Sequence, residues 1–196
     1  GSSVSLAPLD PGDVAALAHE SLLRGAPLTA ASQFVQAASL TAVPADIADR
    51  LVAAARAAVA AGEVPWAAEL VGKARALDDE RGNRLDARLV DIRLAVSRGD
   101  LDGARRVAEA AADVHATSDP AGVVELLVEA ARPMLVGASA EAPKLIERMW
   151  ELAASMDAAR RCRAEVLYGC GRFLQGDAIG AATHAGRWRE LIEVEG

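Results

Sequence analysis

The chain has 196 residues, enough for one domain or one elongated repeat array with a buried core. Hydrophobic residues make up 52% of it and aromatic residues only 3%, with alanine supplying the largest share of the apolar positions. Alanine favours helices and β-branched and aromatic residues favour sheets, so the composition predicts an all-α fold. The net charge of −7 argues against a nucleic-acid-binding surface, which needs clustered Lys and Arg.

No apolar stretch is long enough to cross a membrane, and no signal peptide pattern appears near the start. We therefore predict a cytoplasmic protein that does not contact membranes. The opening Gly1-Ser2-Ser3 resembles the remnant of a cleaved tag, so residues 1–5 are expected to be disordered and the chain to be an excised piece of a larger protein.

Glycines that follow apolar helical patterns recur with spacings of 37, 37, 38 and 39 residues, at Gly25, Gly62, Gly99, Gly137 and Gly176. Each is followed five residues later by an alanine: Ala30, Ala67, Ala104, Ala142 and Ala181. Ten residues before each glycine stand Ala15, Val52, Leu89, Leu127 and Val166, and three residues before it stand Leu22, Val59, Val96, Met134 and Phe173. These two columns lie two helical turns apart and predict one buried stripe.

Each repeat therefore predicts a helix A, a glycine turn and a helix B. The glycine supplies a left-handed helix C-cap. Glu63, Asp100 and Asp177 lie just ahead of the second helix of their repeats, where an acidic group favours the helix N-terminus. We predict a single domain over residues 6–196, with helical hairpins at about 13–41, 45–78, 82–116, 120–156 and 158–194. Pro133 is expected to kink or shorten the fourth helix A.

The glycine-to-alanine spacing resembles the tetratricopeptide repeat (TPR), in which a small residue recurs in helix B shortly after the turn. The period is longer than the roughly 34 residues of that repeat, and its helix A aromatics are mostly missing. The resemblance implies a TPR-like α-solenoid of about five tandem antiparallel hairpins with long helices.

No catalytic or cofactor motif is present. The sequence lacks a nucleotide-binding P-loop, and its three histidines lie in different hairpins without metal-ligand spacing. Cys162 and Cys170 are too far apart along a helix for a disulfide and are expected to be small core residues. We predict no enzyme activity, no metal and no cofactor.

A ligand of a helical repeat array usually contacts the concave face formed by the A helices. The second and third repeats place Asp49 with Arg56, and Asp86 with Arg93, each pair two turns apart on one helix face. These four residues are candidate ligand-binding residues for sugar hydroxyls, a carboxylate or a peptide. The favoured alternative is that they form salt bridges between hairpins on a solvated face, and a protein contact is the third interpretation.

Trp66 and Trp150 are expected to pack in the core. Trp188 lies between Arg187 and Arg189, and it is a candidate surface for contact with a further repeat.

The run SLTAVPADIADRLVAAARAAVAAGE at 39–63 resembles the helical-repeat region of large actinobacterial LuxR-type regulators of the MalT-like class, and RCRAEVLYG at 161–169 resembles a second stretch of that region. In this class the repeats lie between a signalling ATPase and a DNA-binding helix-turn-helix. The resemblance implies a sensor region that receives a small-molecule inducer or a partner protein and relays binding to those absent domains. The alternatives are a TPR-type scaffold without a small-molecule ligand and a helical accessory domain of an enzyme.

Overall fold

The computed structural model describes residues 10–82, 84–137 and 139–195. The predicted tag remnant at 1–5 lies outside these residues. The described residues form eleven helices and no strand: α1 (Pro11–Leu23), α2 (Pro27–Ser39), α3 (Pro44–Ala60), α4 (Val64–Leu77), α5 (Asp79–Gly82), α6 (Leu85–Ser97), α7 (Leu101–His115), α8 (Pro120–Val136), α9 (Ala142–Ala153), α10 (Ala158–Leu174) and α11 (Ala178–Glu195). The predicted all-α fold of tandem helical hairpins is confirmed. The repeat pattern does not predict the short helix α5.

The chain divides into two compact units between Val90 and Asp91, within α6. In the first unit, α1 packs against α2, α2 against α3 and α3 against α4, while α5 contacts both α3 and α4. In the second unit, α7 packs against α8, α8 against α9, and α10 against α8, α9 and α11. The single domain predicted for residues 6–196 stays a prediction.

Alanines and medium-sized aliphatic residues form the core. The alanines five residues after the turn glycines are buried in the first four repeats, at Ala30, Ala67, Ala104 and Ala142. Small side chains let the helices approach closely, so the core needs few aromatic residues. Apart from Phe34, the buried hydrophobic residues within the described part of the chain are aliphatic.

Acidic residues cap many of the helices. Asp100, Asp119 and Asp177 each accept a hydrogen bond from the backbone N–H three residues later, at 2.7 to 2.9 Å, which satisfies one of the free donors of the first helical turn. Glu63 is the N-cap residue of α4, but its side chain forms no cap hydrogen bond. Proline stands in the first turn of many helices, where its missing N–H costs nothing.

The left-handed turn is confirmed at Gly25, Gly62, Gly99 and Gly176, where φ lies between 73° and 85°. It is wrong at Gly137, whose φ is −81°. At the other four turns, the residue after the glycine donates to a carbonyl five residues back. In the fourth repeat the equivalent bond runs from Ser139 N to Met134 O, at 2.9 Å, one residue later than the repeat predicts. Gly137 therefore ends helix α8 itself.

Pro133 lies inside α8, which continues to Val136, so shortening of that helix is wrong and a kink at Pro133 stays a prediction. Leu127, Ala130 and Ala131 before the proline and Met134 after it are all buried. Packing on both sides of Pro133 therefore outweighs the one backbone hydrogen bond that proline removes. None of the helices within the described residues has both the length and the apolar character needed to cross a membrane.

Candidate functional site

Two of the four predicted ligand-binding residues form ion pairs. Asp49 on α3 lies 3.7 Å from the Arg84 guanidinium, and both side chains are about half exposed. Arg93 on α6 donates from Nε to Glu129 on α8 at 3.2 Å, and Arg132 binds the same carboxylate. Both pairs join successive repeats, as the salt-bridge alternative expects.

The other two predicted residues, Arg56 on α3 and Asp86 on α6, are exposed. Neither side chain forms a hydrogen bond or an ion pair with another residue that the structure describes. The role of all four residues in ligand binding stays a prediction.

A large apolar groove lies in the second unit, between α8, α10 and α11. Its volume is about 880 Å³, within the usual range of ligand-binding pockets. The C-terminal end of α8 contributes to the groove, and α10 and α11 form its two long walls. The lining residues are Arg132, Leu135, Val136, Glu165, Val166, Leu167, Gly169, Cys170, Phe173, Leu174, Ala178, Ala181, Ala182, Ala185 and Trp188. This set is predominantly apolar, so the groove favours an apolar occupant.

The fifth repeat exposes two positions that are buried in the fourth. Ten residues before the glycine, Val52 and Leu89 are each 4% exposed and Leu127 is fully buried, whereas Val166 is 41% exposed. Three residues before it, Met134 is 1% exposed and Phe173 is 66% exposed. The predicted buried stripe is wrong in this second column outside the fourth repeat, because Leu22 is exposed and Val59 and Val96 are half-buried. In the fourth repeat these positions face a neighbouring helix, and in the fifth they face the groove.

Hydrogen bonds to one carboxylate connect α10 and α11 at the turn between them. Asp177 accepts the backbone N–H of Gly180, and it also binds the guanidinium of Arg172 through Nε at 2.7 Å. These two interactions, the first being the larger, lower the pKa of the Asp177 carboxyl. The same carboxylate raises the pKa of Arg172. Charge-assisted hydrogen bonds thus stabilise the turn of this hairpin.

A largely buried polar cluster connects α9, α10 and α11, and its Glu165 also lines the groove. The carboxylate of Glu165 binds Nδ1 of His184 on α11 through one oxygen and accepts from Nε1 of Trp150 on α9, at 3.3 Å, through the other. The ring of Tyr168 packs edge-on against His184, with the centroids 4.6 Å apart, and lies 5.1 Å from the ring of Trp150. The cluster gives a partner to both carboxylate oxygens of Glu165 and to Nδ1 of His184, so it connects α9, α10 and α11.

Both cysteines depart from the expected core positions. Cys162 is half-buried and Cys170 is exposed, and both are free thiols. Cys170 lines the groove because it lies one turn before Phe173 on the same exposed face of α10. Across the described ranges, no group of three or more His, Cys, Asp or Glu residues could hold a metal ion.

The tryptophans are less enclosed than the sequence predicts. Trp66 and Trp150 are half-buried, and Trp150 contacts the polar cluster. Trp188 is 39% exposed and lines the groove.

Sequence reasoning missed the groove, although one signal pointed to it. Val166 and Phe173 belong to the columns predicted to be buried, and Trp188 is a candidate contact surface for a further repeat. What the columns do not contain is whether a neighbouring helix covers them. That depends on three-dimensional contacts.

No family model and no curated protein matches this chain. Among solved structures, a candidate kinesin light chain of Podosopora anserina with nearly identical TPR-like repeats superimposes with a TM-score of 0.71 at 18% identity, over 92% of this chain and 93% of that one. A point variant of that protein gives a TM-score of 0.73 at 18% identity, over 94% and 97%. The chain thus has the TPR-like fold. The resemblance to LuxR-type regulators finds no counterpart in these structures.

Proposed function

We propose that this chain is a protein-interaction domain whose last hairpin, α10 and α11, binds an amphipathic helix of a partner protein. The observation that carries the proposal is the exposure of Val166 and Phe173, which line an apolar groove and whose counterparts in the fourth repeat, Leu127 and Met134, are buried. Apolar surface of this extent on a folded chain favours a binding role.

The packing within the second unit suggests how the helix would lie. Helix α10 packs against both helices of the preceding hairpin, α8 and α9. Gly171 makes this approach close, since a Cβ there would lie 3.3 Å from the Ile146 side chain on α9. The groove of the last hairpin repeats that surface, so it suits a helix with an apolar stripe and small residues, bound as α10 is bound.

We further propose that the chain belongs to a LuxR-type regulator of the MalT-like class, as the sensor region. The second of the two resembling stretches, residues 161–169, lies in α10 and contributes Glu165, Val166, Leu167 and Gly169 to the groove. In such a regulator, a helix bound there would be the received signal and other domains would carry ATPase and DNA binding. A scaffold without this relay uses the same groove and is the alternative.

We assign the chain a binding role without a catalytic step. The polar groups at the groove are few and already engaged: Arg132 binds Glu129, and Glu165 binds His184 and Trp150. Apolar contacts would therefore supply most of the affinity, and polar groups would orient the bound helix.

A peptide titration tests this proposal. The probe is a synthetic peptide of the α10 sequence, residues 158–174, with Cys162→Ser and Cys170→Ser to prevent oxidation. We expect saturable chemical-shift changes at the Trp188 indole and at groove methyl groups of isotope-labelled protein. The substitutions Val166→Asp and Phe173→Asp in the protein should abolish them by placing a charge in the apolar groove.

Two matched controls accompany the titration. Ile179→Asp changes an apolar residue of α11 that is 84% exposed and does not line the groove, so peptide binding should be unchanged. Gly171→Glu in the peptide places a charge on the face that packs on α9, so the altered peptide should not bind. Equal binding by Phe173→Asp and the unaltered protein, or no saturable change, would overturn the proposal.

A further inference from the structure

A second, smaller cavity lies between α9, α10 and α11, on the side of the polar cluster. Its volume is about 230 Å³. Three alanines and the Trp150 indole form apolar walls, and Arg161, Glu165 and Arg187 supply its charged groups. A cavity of about 150 Å³ can hold a benzene molecule, so this one has room for a ring with one small polar group.

The two arginines of this cavity lack a counterion. Nε of Arg161 is buried and has no hydrogen-bond partner among the described residues. The Arg187 side chain is exposed and forms no ion pair or hydrogen bond within the described part of the chain. Buried donors without a partner are unusual in a folded protein, and the described residues contain one other, Nε of Arg105, which lies outside this cavity.

The carboxylate in the cavity binds neither arginine. One oxygen of Glu165 accepts from Trp150 Nε1, at 3.3 Å, and the other binds Nδ1 of His184. Two guanidinium groups and one carboxylate line the cavity, which therefore carries an excess of about one positive charge. A monoanion neutralises this excess, whereas a dianion would leave the cavity with a net negative charge.

We propose that this cavity binds a small monocarboxylate with an aromatic or apolar body. The carboxylate accepts hydrogen bonds from Arg161 and Arg187, whose planar guanidinium groups suit carboxylate oxygens. The body of the ligand packs against the Trp150 indole and the alanines. This proposal does not depend on helix binding in the groove, although Glu165 lines both the cavity and the groove.

Benzoate is the probe for this site, and the neutral benzamide of the same shape is its control. We expect benzoate to shift the Trp150 indole N–H resonance saturably, with the resonance assigned by its loss in Trp150→Phe. Arg161→Gln and Arg187→Gln should each weaken benzoate binding roughly tenfold, the effect of losing one charge-assisted hydrogen bond. Benzamide at the same concentration should leave the resonance unmoved.

The matched control is Arg163→Gln, which removes an exposed guanidinium from the same helix, outside this cavity. It should leave benzoate affinity unchanged, and thermal melting should show that all variants remain folded. Equal effects of benzoate and benzamide, equal weakening by Arg163→Gln, or no saturable shift would overturn the proposal. Stronger displacement of benzoate by inorganic phosphate than by acetate would overturn the carboxylate assignment. Phe173→Asp, which blocks helix binding, should leave benzoate binding intact, so failure of one proposal is distinguishable from failure of the other.

Discussion

The fourth and fifth hairpins place similar residues at the same repeat positions in opposite environments. In the fourth hairpin, Leu127 and Met134 are buried, and α10 packs over both of its helices. In the fifth hairpin, Val166 and Phe173 are exposed and line an apolar groove. The comparison shows that an apolar residue at a given repeat position is buried in the core where a neighbouring helix covers it. Where no helix covers it, the same position forms exposed apolar surface.

The largest expected effect separates these two environments by stability. Leu127→Ala should lower the free energy of unfolding by about 2–5 kcal/mol, because it leaves a cavity in a packed interior. Val166→Ala should lower it by only about 0.5 kcal/mol, because the side chain already meets solvent. Chemical denaturation of both variants measures this, and a cost at Val166 equal to that at Leu127 would contradict the comparison.

A second prediction compares the turns of the two hairpins. Gly176 has φ of +85°, and the space that a Cβ would occupy there is open, so Gly176→Ala should cost about 1–2 kcal/mol through backbone strain alone. Gly137 has a negative φ, and an added Cβ would make only ordinary contacts at 3.5 Å or more. Gly137→Ala should therefore be close to neutral. Equal costs in denaturant titrations would show that the fourth turn does not differ from the fifth.

The smallest expected effect is the pH dependence of the fifth turn. The pKa of Asp177 is lowered in the folded chain, first by the Gly180 N–H and then by Arg172. Its contribution to stability is therefore present above the unfolded pKa of about 3.9 and is lost as the pH falls through the lower folded value. Asp177→Asn should flatten the loss of stability below about pH 4.

The control for this measurement is Asp46→Asn, which removes an exposed carboxyl from the first turn of α3. It changes the charge of the chain without removing the Gly180 and Arg172 interactions. Asp177→Asn and Asp46→Asn melting curves with the same pH dependence would contradict the role given to the turn.

The fold is predictable from the sequence because the residues that define each repeat act on their near neighbours in the chain. Turn glycines such as Gly62 and capping acids such as Asp100 act within a few residues, so their spacing is sufficient to place helices. The prediction fails at Gly137 because the turn there is displaced by one residue, and Pro133 is tolerated because buried neighbours hold α8 together.

The candidate site is much less predictable from sequence. The repeat phase groups Arg93 with Asp86, yet the Arg93 guanidinium binds Glu129 from the next repeat. The groove and the smaller cavity depend on which faces remain uncovered and on where a long side chain such as Arg161 ends. Neither property follows from periodicity, because both arise from contacts between residues far apart in the chain.

The central claim is that the last hairpin binds a helix in its apolar groove. The most direct test is to add a further hairpin to the same chain. A second copy of residues 158–195, 38 residues long, is appended directly after residue 195, which keeps the repeat spacing of 37 to 39. If the last hairpin is a helix-docking surface, hydrogen exchange in the original α10 and α11 should slow and the Tm should rise, and Phe173→Asp should cancel both effects. Unchanged exchange in α10 and α11, with the added segment folded or unfolded, would contradict the account.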